Sequence, residues 1–340
     1  MTEEQEQPVF PDALFRQKRK HGKFRLVEPP RLEGAVADTH AHVHLLADPA
    51  LEFARCAVWG VDFVCDIIDV QEDAPEVFDR FDGWYVEAAE RLPQVVECTR
   101  EVLAAGGDAV THLPDGALPA AFVLPEGAAA RPMPRLRLAC GVHPHNAKFY
   151  DDAMEARLVA RLADSRVCAV GEIGLDYYWS GEFVAEQVEA FVSQCRLAAR
   201  LGLPVAIHTR AAWDDMCRII GEEATAAAEA GRRLRGVFHA FSEDAGTYRK
   251  LKACGDFAFG IGGVVTFRKS KLADTVREME LDDIVLETDC PYLTPAPHRG
   301  ERNESAYVRF VCEKVAELKG LPPGEVAAAT TANAKRIFGI

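Results

Sequence analysis

GAVADTHAHVH, residues 34–44, runs from a short apolar stretch into three histidines at positions 40, 42 and 44. Alternate residues of a strand point to one face, so imidazoles two apart can share a surface. The pattern recurs along the chain. VDFVCDII (61–68), LRLACGVH (136–143), RVCAVGEIGL (166–175), LPVAIHT (203–209), RGVFHAF (235–241), FAFGIGG (257–263) and DIVLETD (283–289) are the other apolar, β-branched runs. Segments with helical periodicity separate most of them. Near-continuous apolar strands alternating with helices predict a parallel sheet covered on its outside. Eight such units predict an α/β fold of the (β/α)8 TIM barrel type, a single domain over residues 34–340. A doubly wound open sheet is the alternative, and it is weakened because no G-x-G-x-x-G follows the first strand.

Two segments exceed a minimal barrel. Residues 1–33 form an N-terminal extension that passes from acidic MTEEQEQP to basic FRQKRKHGKFR. It is expected to be a surface arm packed on the barrel or a disordered one, with a nucleic-acid-contacting arm less supported. Residues 106–134 are rich in Gly, Ala and Pro and too long for an ordinary connection. This insertion precedes the third strand. Helix-to-strand loops lie on the face of a barrel opposite the catalytic one, so it is expected to serve stability or association.

Composition sets further bounds. The formal charge of −14 argues against a broad electrostatic grip on nucleic acid, though not against a local cleft. The ten cysteines include no C-x-x-C pair. Cys65, Cys140, Cys168 and Cys195 sit in apolar runs as small hydrophobes, which suggests reduced thiols and a cytoplasmic protein. The acidic N-terminus lacks the apolar core of a signal peptide, and no apolar run approaches a membrane span. No obligate protein partner is evident.

The metal-capable side chains gather at strand ends. His40 and His42 end the first strand, and His143 and His145 follow the third. Glu172 ends the fourth, His208 the fifth, His239 the sixth and Asp289 the eighth. All fall at C-terminal ends, where barrel active sites are built. Scattered structural histidines would not coincide this way. Imidazole with carboxylate suits zinc, manganese or iron, and carboxylate with water suits magnesium; the ion identity is left open among zinc, manganese, nickel and magnesium. Six donors exceed the need of one open four-coordinate ion and suffice for two ions sharing a carboxylate.

DTHAH (38–42), GVHPH (141–145), VGEIGLDYY (170–178), IHTR (207–210), FHAFS (238–242), LETDCPYLTPAPHRGERNESAYV (286–308) and TTANAKRIFG (330–339) occur in that order. With them the chain resembles the TatD-like deoxyribonuclease family, within the metal-dependent amidohydrolase superfamily, over residues 35–340. The resemblance implies that His40, His42, Glu172 and Asp289 hold one divalent ion and that Glu172, His208 and His239 hold a second, with Glu172 bridging. It implies a metal-dependent hydrolase of phosphodiesters, often a DNA exonuclease, although some relatives deacylate aminoacyl-tRNA. His44 stands where relatives often carry an acid, Ala211 where they carry Asp, Glu301 for Lys and Ser305 for Pro. These departures spare the implied ligands and lower positive charge beside the site.

The leading expectation is a two-metal phosphodiesterase that attacks phosphorus with water made hydroxide near neutral pH. Asp289 would orient that water and take its proton, with Glu172 the second catalytic carboxylate. Arg210 is the first choice for charge building on phosphate, with a salt-bridged structural role as its rival. His145 and His143 are the next substrate contacts, although His143 fits equally well as a turn residue before Pro144. Arg299 and Arg302 would meet a nucleic-acid backbone or remain surface charge. Asp176 and Tyr177 would shape the cleft, or Asp176 would anchor a histidine. His44 is expected to be no ligand but a substrate-side or loop residue. An ester or amide hydrolase with the same donors is the second reading. A non-catalytic barrel scaffold is the last, because no donor is lost. The expected substrate is nucleic acid or a small phosphodiester.

Overall fold

In the computed structural model, residues 15–18, 24–27, 29–30, 32–73, 75–105 and 133–340 are described. The expectation for 106–134 falls almost wholly outside them. Strands β1 (Arg16–Lys18) and β2 (Phe24–Leu26) pair antiparallel in the N-terminal extension. The buried Phe15 ring meets Trp59 edge-on, with centroids 4.4 Å apart, and lies 5.8 Å from Phe310, so this part of the arm packs on the helices.

All eight apolar runs contain strands: β3 (Val36–Ala41), β4 (Val61–Asp69), β5 (Arg135–Gly141), β6 (Val167–Asp176), β7 (Val205–Arg210), β8 (Arg235–Phe238), β9 (Asp256–Ile261) and β10 (Ile284–Leu286). They form one parallel sheet in chain order, the arrangement of a (β/α)8 barrel. The first and last strands meet at the C-terminal rim. Thr39 Oγ1 donates to Leu286 O at 3.0 Å, Asp289 N to His40 O at 2.8 Å and His42 N to Cys290 O at 2.8 Å. The closing seam therefore runs beside His40, His42 and Asp289.

Helices α1 (Pro49–Trp59), α2 (Val77–Ala105), α3 (Asp152–Leu162), α4 (Val184–Leu201), α5 (Trp213–Glu229), α6 (Ala245–Lys252), α7 (Leu272–Glu278), α8 (Val308–Lys319) and α9 (Pro323–Phe338) follow in sequence. Asp48, Asp151 and Asp244 accept from the third residue beyond them, satisfying otherwise orphaned amides. The closing helix α9 is longer than a brief terminal turn, because it plugs the barrel. Ile337 and Phe338 join Ala37, Phe63, Cys65, Ala139, Cys168, Ala169, Val237, Ala258 and Val285 in one buried cluster. The four cysteines expected in the core are buried and free. With its lower end filled, the barrel leaves its polar residues to the C-terminal rim. Among the described residues, no helix is long and apolar enough to cross a membrane.

Candidate active site

Glu172 occupies the centre of the rim. Its side chain, 8% exposed, has Oε1 at 2.8 Å from His208 Nδ1, 3.7 Å from His239 Nε2 and 3.9 Å from His143 Nε2. Its Oε2 is 3.4 Å from His40 Nε2. Asp289 Oδ1 stands 3.5 Å from His42 Nε2, 3.8 Å from His40 Nε2 and 4.0 Å from His239 Nε2. Side chains from β3, β6 and β7 and from the turns after β3, β5, β8 and β10 thus converge, with His42 just past the end of β3 rather than within it. Asp289 lies past the end of β10, not within it as the apolar run suggested. Its φ of +57° turns the chain out of the strand while its amide holds His40 O. Asp tolerates that left-handed conformation better than most residues.

Within this cluster, three groups bring their donor atoms within 4.8 Å of one another: His40, His42 and Asp289; His40, His239 and Glu287; His143, Glu172 and His208. The first joins three residues assigned to one ion. The third places His143, expected at the substrate, among donors assigned to the other. The His40 and His239 rings stack with centroids 3.4 Å apart. His40 is 1% exposed, and neither of its ring nitrogens makes a hydrogen bond among the described residues. Burying unsatisfied polar atoms costs about 1–3 kcal/mol each, so this ring is arranged for something else. A divalent cation fits the donor set, because imidazole nitrogens and carboxylate oxygens face one small volume.

The electrostatics agree. Burial pushes the Glu172 carboxyl up, but His239 and His40 outweigh it and hold it well below the usual carboxylate range. Burial likewise raises Asp289, and His239 and His42 bring it below its ordinary value. Burial lowers His208 and His239. Hydrogen bonds to Asp176 and Glu172 lift His208 to about 9, and the charges of Glu287 and Glu172 lift His239 to about 10. Ionised carboxylates here draw protons onto imidazoles, and a cation would displace those protons. His143, desolvated and beside His208, falls to about 3.

Glu287 is a site residue that the sequence reading did not single out. Its Oε1 is 3.1 Å from His239 Nδ1 and accepts from Ala240 N at 2.6 Å. Gly260 makes room for it, since a Cβ there would lie 2.0 Å from Glu287 Oε2. The carboxylate lies beside His239 Nδ1, which makes no hydrogen bond among the described residues, and leaves Nε2 to face Glu172, an orienting role by charge and position. Its only sequence signal was an acid two positions before Asp289. Glu287→Ala is expected to weaken metal affinity by roughly 10- to 100-fold, read by competition with a chelating dye. Wild-type affinity in this variant would remove the orienting role.

The outer predicted residues separate. Asp176 Oδ2 lies 3.2 Å from His208 Nε2 and 3.1 Å from His145 Nε2, while Oδ1 accepts from the Tyr178 and Trp179 amides at 2.9 and 2.8 Å. Tyr177 donates to Asp215 at 2.9 Å. Arg210 has no ion-pair partner among the described residues, so it is not the salt-bridged structural arginine that was its rival reading. Its guanidinium lies 4.4 Å from the Tyr178 ring centroid and 5.4 Å from that of Trp179. Arg299 lies 4.2 Å over Phe267, and Arg302 donates to Leu45 O at 2.8 Å. Both remain exposed on the rim. His44 joins none of the three donor groups and lies in the turn after β3. Its ring is 3% exposed, with Nδ1 at 2.7 Å from Asp66 and Nε2 at 3.1 Å from Asp73. Beyond the strand its direction follows those two acids rather than alternation.

The family described as TatD related DNase matches residues 37–339. An uncharacterised metal-dependent hydrolase of Escherichia coli K12, YcfH, is 42% identical over 203 residues, covering 59% of this chain and 73% of the relative. A 3'-5' ssDNA/RNA exonuclease, TatD, of Cronobacter sakazakii is 35% identical over 204 residues, 58% of this chain and 75% of the relative. Among solved structures, the TatD homologue YJJV of Escherichia coli K12 superposes with a TM-score of 0.65 at 23% identity, covering 90% of this chain and 98% of that one. At that identity the superposition speaks for the fold alone.

Proposed function

The chain belongs to the TatD related DNase family and is a metal-dependent hydrolase acting on ester bonds, and on that premise we propose that it is a two-metal phosphodiesterase, a deoxyribonuclease of the exonuclease kind. The observation that carries the metal requirement is His40, buried with neither ring nitrogen in a hydrogen bond among the described residues while its Nε2 faces Glu172 and Asp289 at 3.4 and 3.8 Å. His40, His42, Glu172 and Asp289 would hold one ion. Glu172, His208 and His239 would hold the other, with His143 as a further donor. When bound, two divalent ions supply Lewis acidity and make water acidic enough to ionise near neutral pH.

The chain's own groups do the rest. Asp289, kept ionised by the histidines around it, accepts the proton of the attacking water. Glu287 and Asp176 hold His239 and His208 in register with Glu172. Arg210, free of any carboxylate among the described residues, offers its N–H edge to the phosphoryl oxygens. The relative named for nuclease action supports a nucleic-acid substrate.

The test is a turnover panel with metal-reconstituted protein on bis(p-nitrophenyl) phosphate, DNA, RNA and aminoacyl-tRNA. Chelator-sensitive cleavage of the phosphodiesters is expected, with charged tRNA left intact. Deacylation of charged tRNA without phosphodiester turnover would overturn the proposal.

A further inference from the structure

The rim of the barrel gathers exposed apolar side chains. Tyr178 is 61% exposed and Trp179 63%, both in the loop after β6; Tyr292 is 54% exposed in the loop after β10. Phe149, at the end of the turn after β5, and Leu45, after β3, are also exposed. Among the described residues, most of the large exposed apolar side chains therefore stand on loops at one end of the barrel. Cations are set among them. Arg210 stacks over Tyr178 and Trp179, Lys148 lies 5.1 Å from the Phe149 ring centroid, and Arg299 covers Phe267. None of these three cations has a carboxylate partner among the described residues. This alternation of ring and cation stands out in a chain whose net charge is −14.

The placement of the first set is the most informative. Asp176 receives the Tyr178 and Trp179 amides on one oxygen and faces His208 and His145 with the other. The aromatic pair is thus built onto the carboxylate that steadies a proposed ligand. Arg210 ends β7, in register with Asp176 at the end of β6. The Tyr178 and Trp179 rings meet edge-on, with centroids 4.8 Å apart. Both residues nevertheless remain more than half exposed, so ring surface beyond their mutual contact and the guanidinium is open to solvent. Across the barrel, four strands away in the sheet, Tyr292 borders His42, with ring centroids 6.0 Å apart.

We propose that Tyr178, Trp179 and Arg210 form a stacking platform for an unpaired base of single-stranded nucleic acid, beside the phosphodiester held over Glu172. Every base has a face that stacks on an aromatic ring, whereas a paired base inside a duplex presents none. The Arg210 guanidinium carbon lies 4.4 Å from the Tyr178 ring centroid with no carboxylate on it among the described residues, so its N–H groups are available to a backbone phosphate next to the stacked base. Duplex DNA would need broad positive charge, which this chain lacks. A single strand needs only local cations and rings. The inference rests on the phosphodiesterase reading; a single-stranded substrate is already in the name of the Cronobacter sakazakii relative, and what is added is the set of residues of this chain that would hold the unpaired base.

The experiment uses metal-loaded full-length protein and two measurements. The first is the ratio of kcat/KM on a short oligothymidylate to kcat/KM on bis(p-nitrophenyl) phosphate. In the double variant Tyr178→Ala, Trp179→Ala this ratio is expected to fall roughly ten- to hundredfold, and in Tyr178→Phe, Trp179→Phe to stay within a few fold of wild type. The second is intrinsic fluorescence during titration with phosphorothioate oligothymidylate or oligouridylate. Quenching is expected in wild type and its loss in Trp179→Phe, with binding by anisotropy retained. The two oligomers show whether the platform distinguishes DNA from RNA. An unchanged ratio in the alanine variant, or no quenching on binding, would overturn the platform and leave the phosphodiesterase standing. Absence of turnover on bis(p-nitrophenyl) phosphate would instead strike the phosphodiesterase reading. Equal affinity for blunt duplex and single strand would refute the single-strand assignment.

Discussion

Replacing Glu172 by alanine is expected to reduce phosphodiester turnover by on the order of 10³–10⁵-fold and to lower bound metal at the same time. Glu172 lies within 4 Å of His40, His143, His208 and His239 through its two carboxylate oxygens. No other carboxylate in the cluster touches so many histidines. Its loss leaves both groups of donors without a shared anion. Glu172→Gln keeps the shape but removes the charge, and should show nearly the same loss of metal. Metal content and turnover are measured on the same preparations. A variant that keeps wild-type metal and loses activity would restrict Glu172 to the chemical step. One that keeps both would contradict its role altogether.

The second large effect is expected at Asp289. As general base, it should account for about 10²–10⁴-fold in kcat. Asp289→Asn retains an oxygen toward His42 and His40 but cannot take a proton. Its kcat should fall by that factor while KM changes little, provided metal content is matched to wild type. Asp289→Ala should lose metal as well, since one of the three-donor groups loses its only carboxylate. The pair of variants separates proton transfer from metal holding. Asp289→Asn within threefold of wild type, at equal metal content, would dismiss the base role.

The barrel was legible because its strands are buried on both faces and read as apolar runs between helical segments. The converging histidines and acids were legible because barrel chemistry sits at C-terminal strand ends. What escaped depends on contacts between distant segments. Glu287 matters because Gly260 on the neighbouring strand opens space for it, and no local pattern announces that. His143 turns toward His208, with ring centroids 4.8 Å apart, after a strand end whose direction the sequence left open. His44 looked like a third member of a series until Asp66 and Asp73, from β4 and the turn beyond, enclosed it. Tyr178 and Trp179 were two more aromatic letters until their exposure and the stacked Arg210 marked them out.

The central claim is that two divalent ions share Glu172. Metal stoichiometry tests it most directly: apo-protein is titrated with manganese or zinc, bound ions are counted by elemental analysis, and turnover is followed at each step. Two ions per chain are predicted, with activity reaching its plateau only as the second binds and with Glu172→Gln failing to retain the pair. Full activity at one ion per chain, or two ions held equally well by Glu172→Gln, would contradict it.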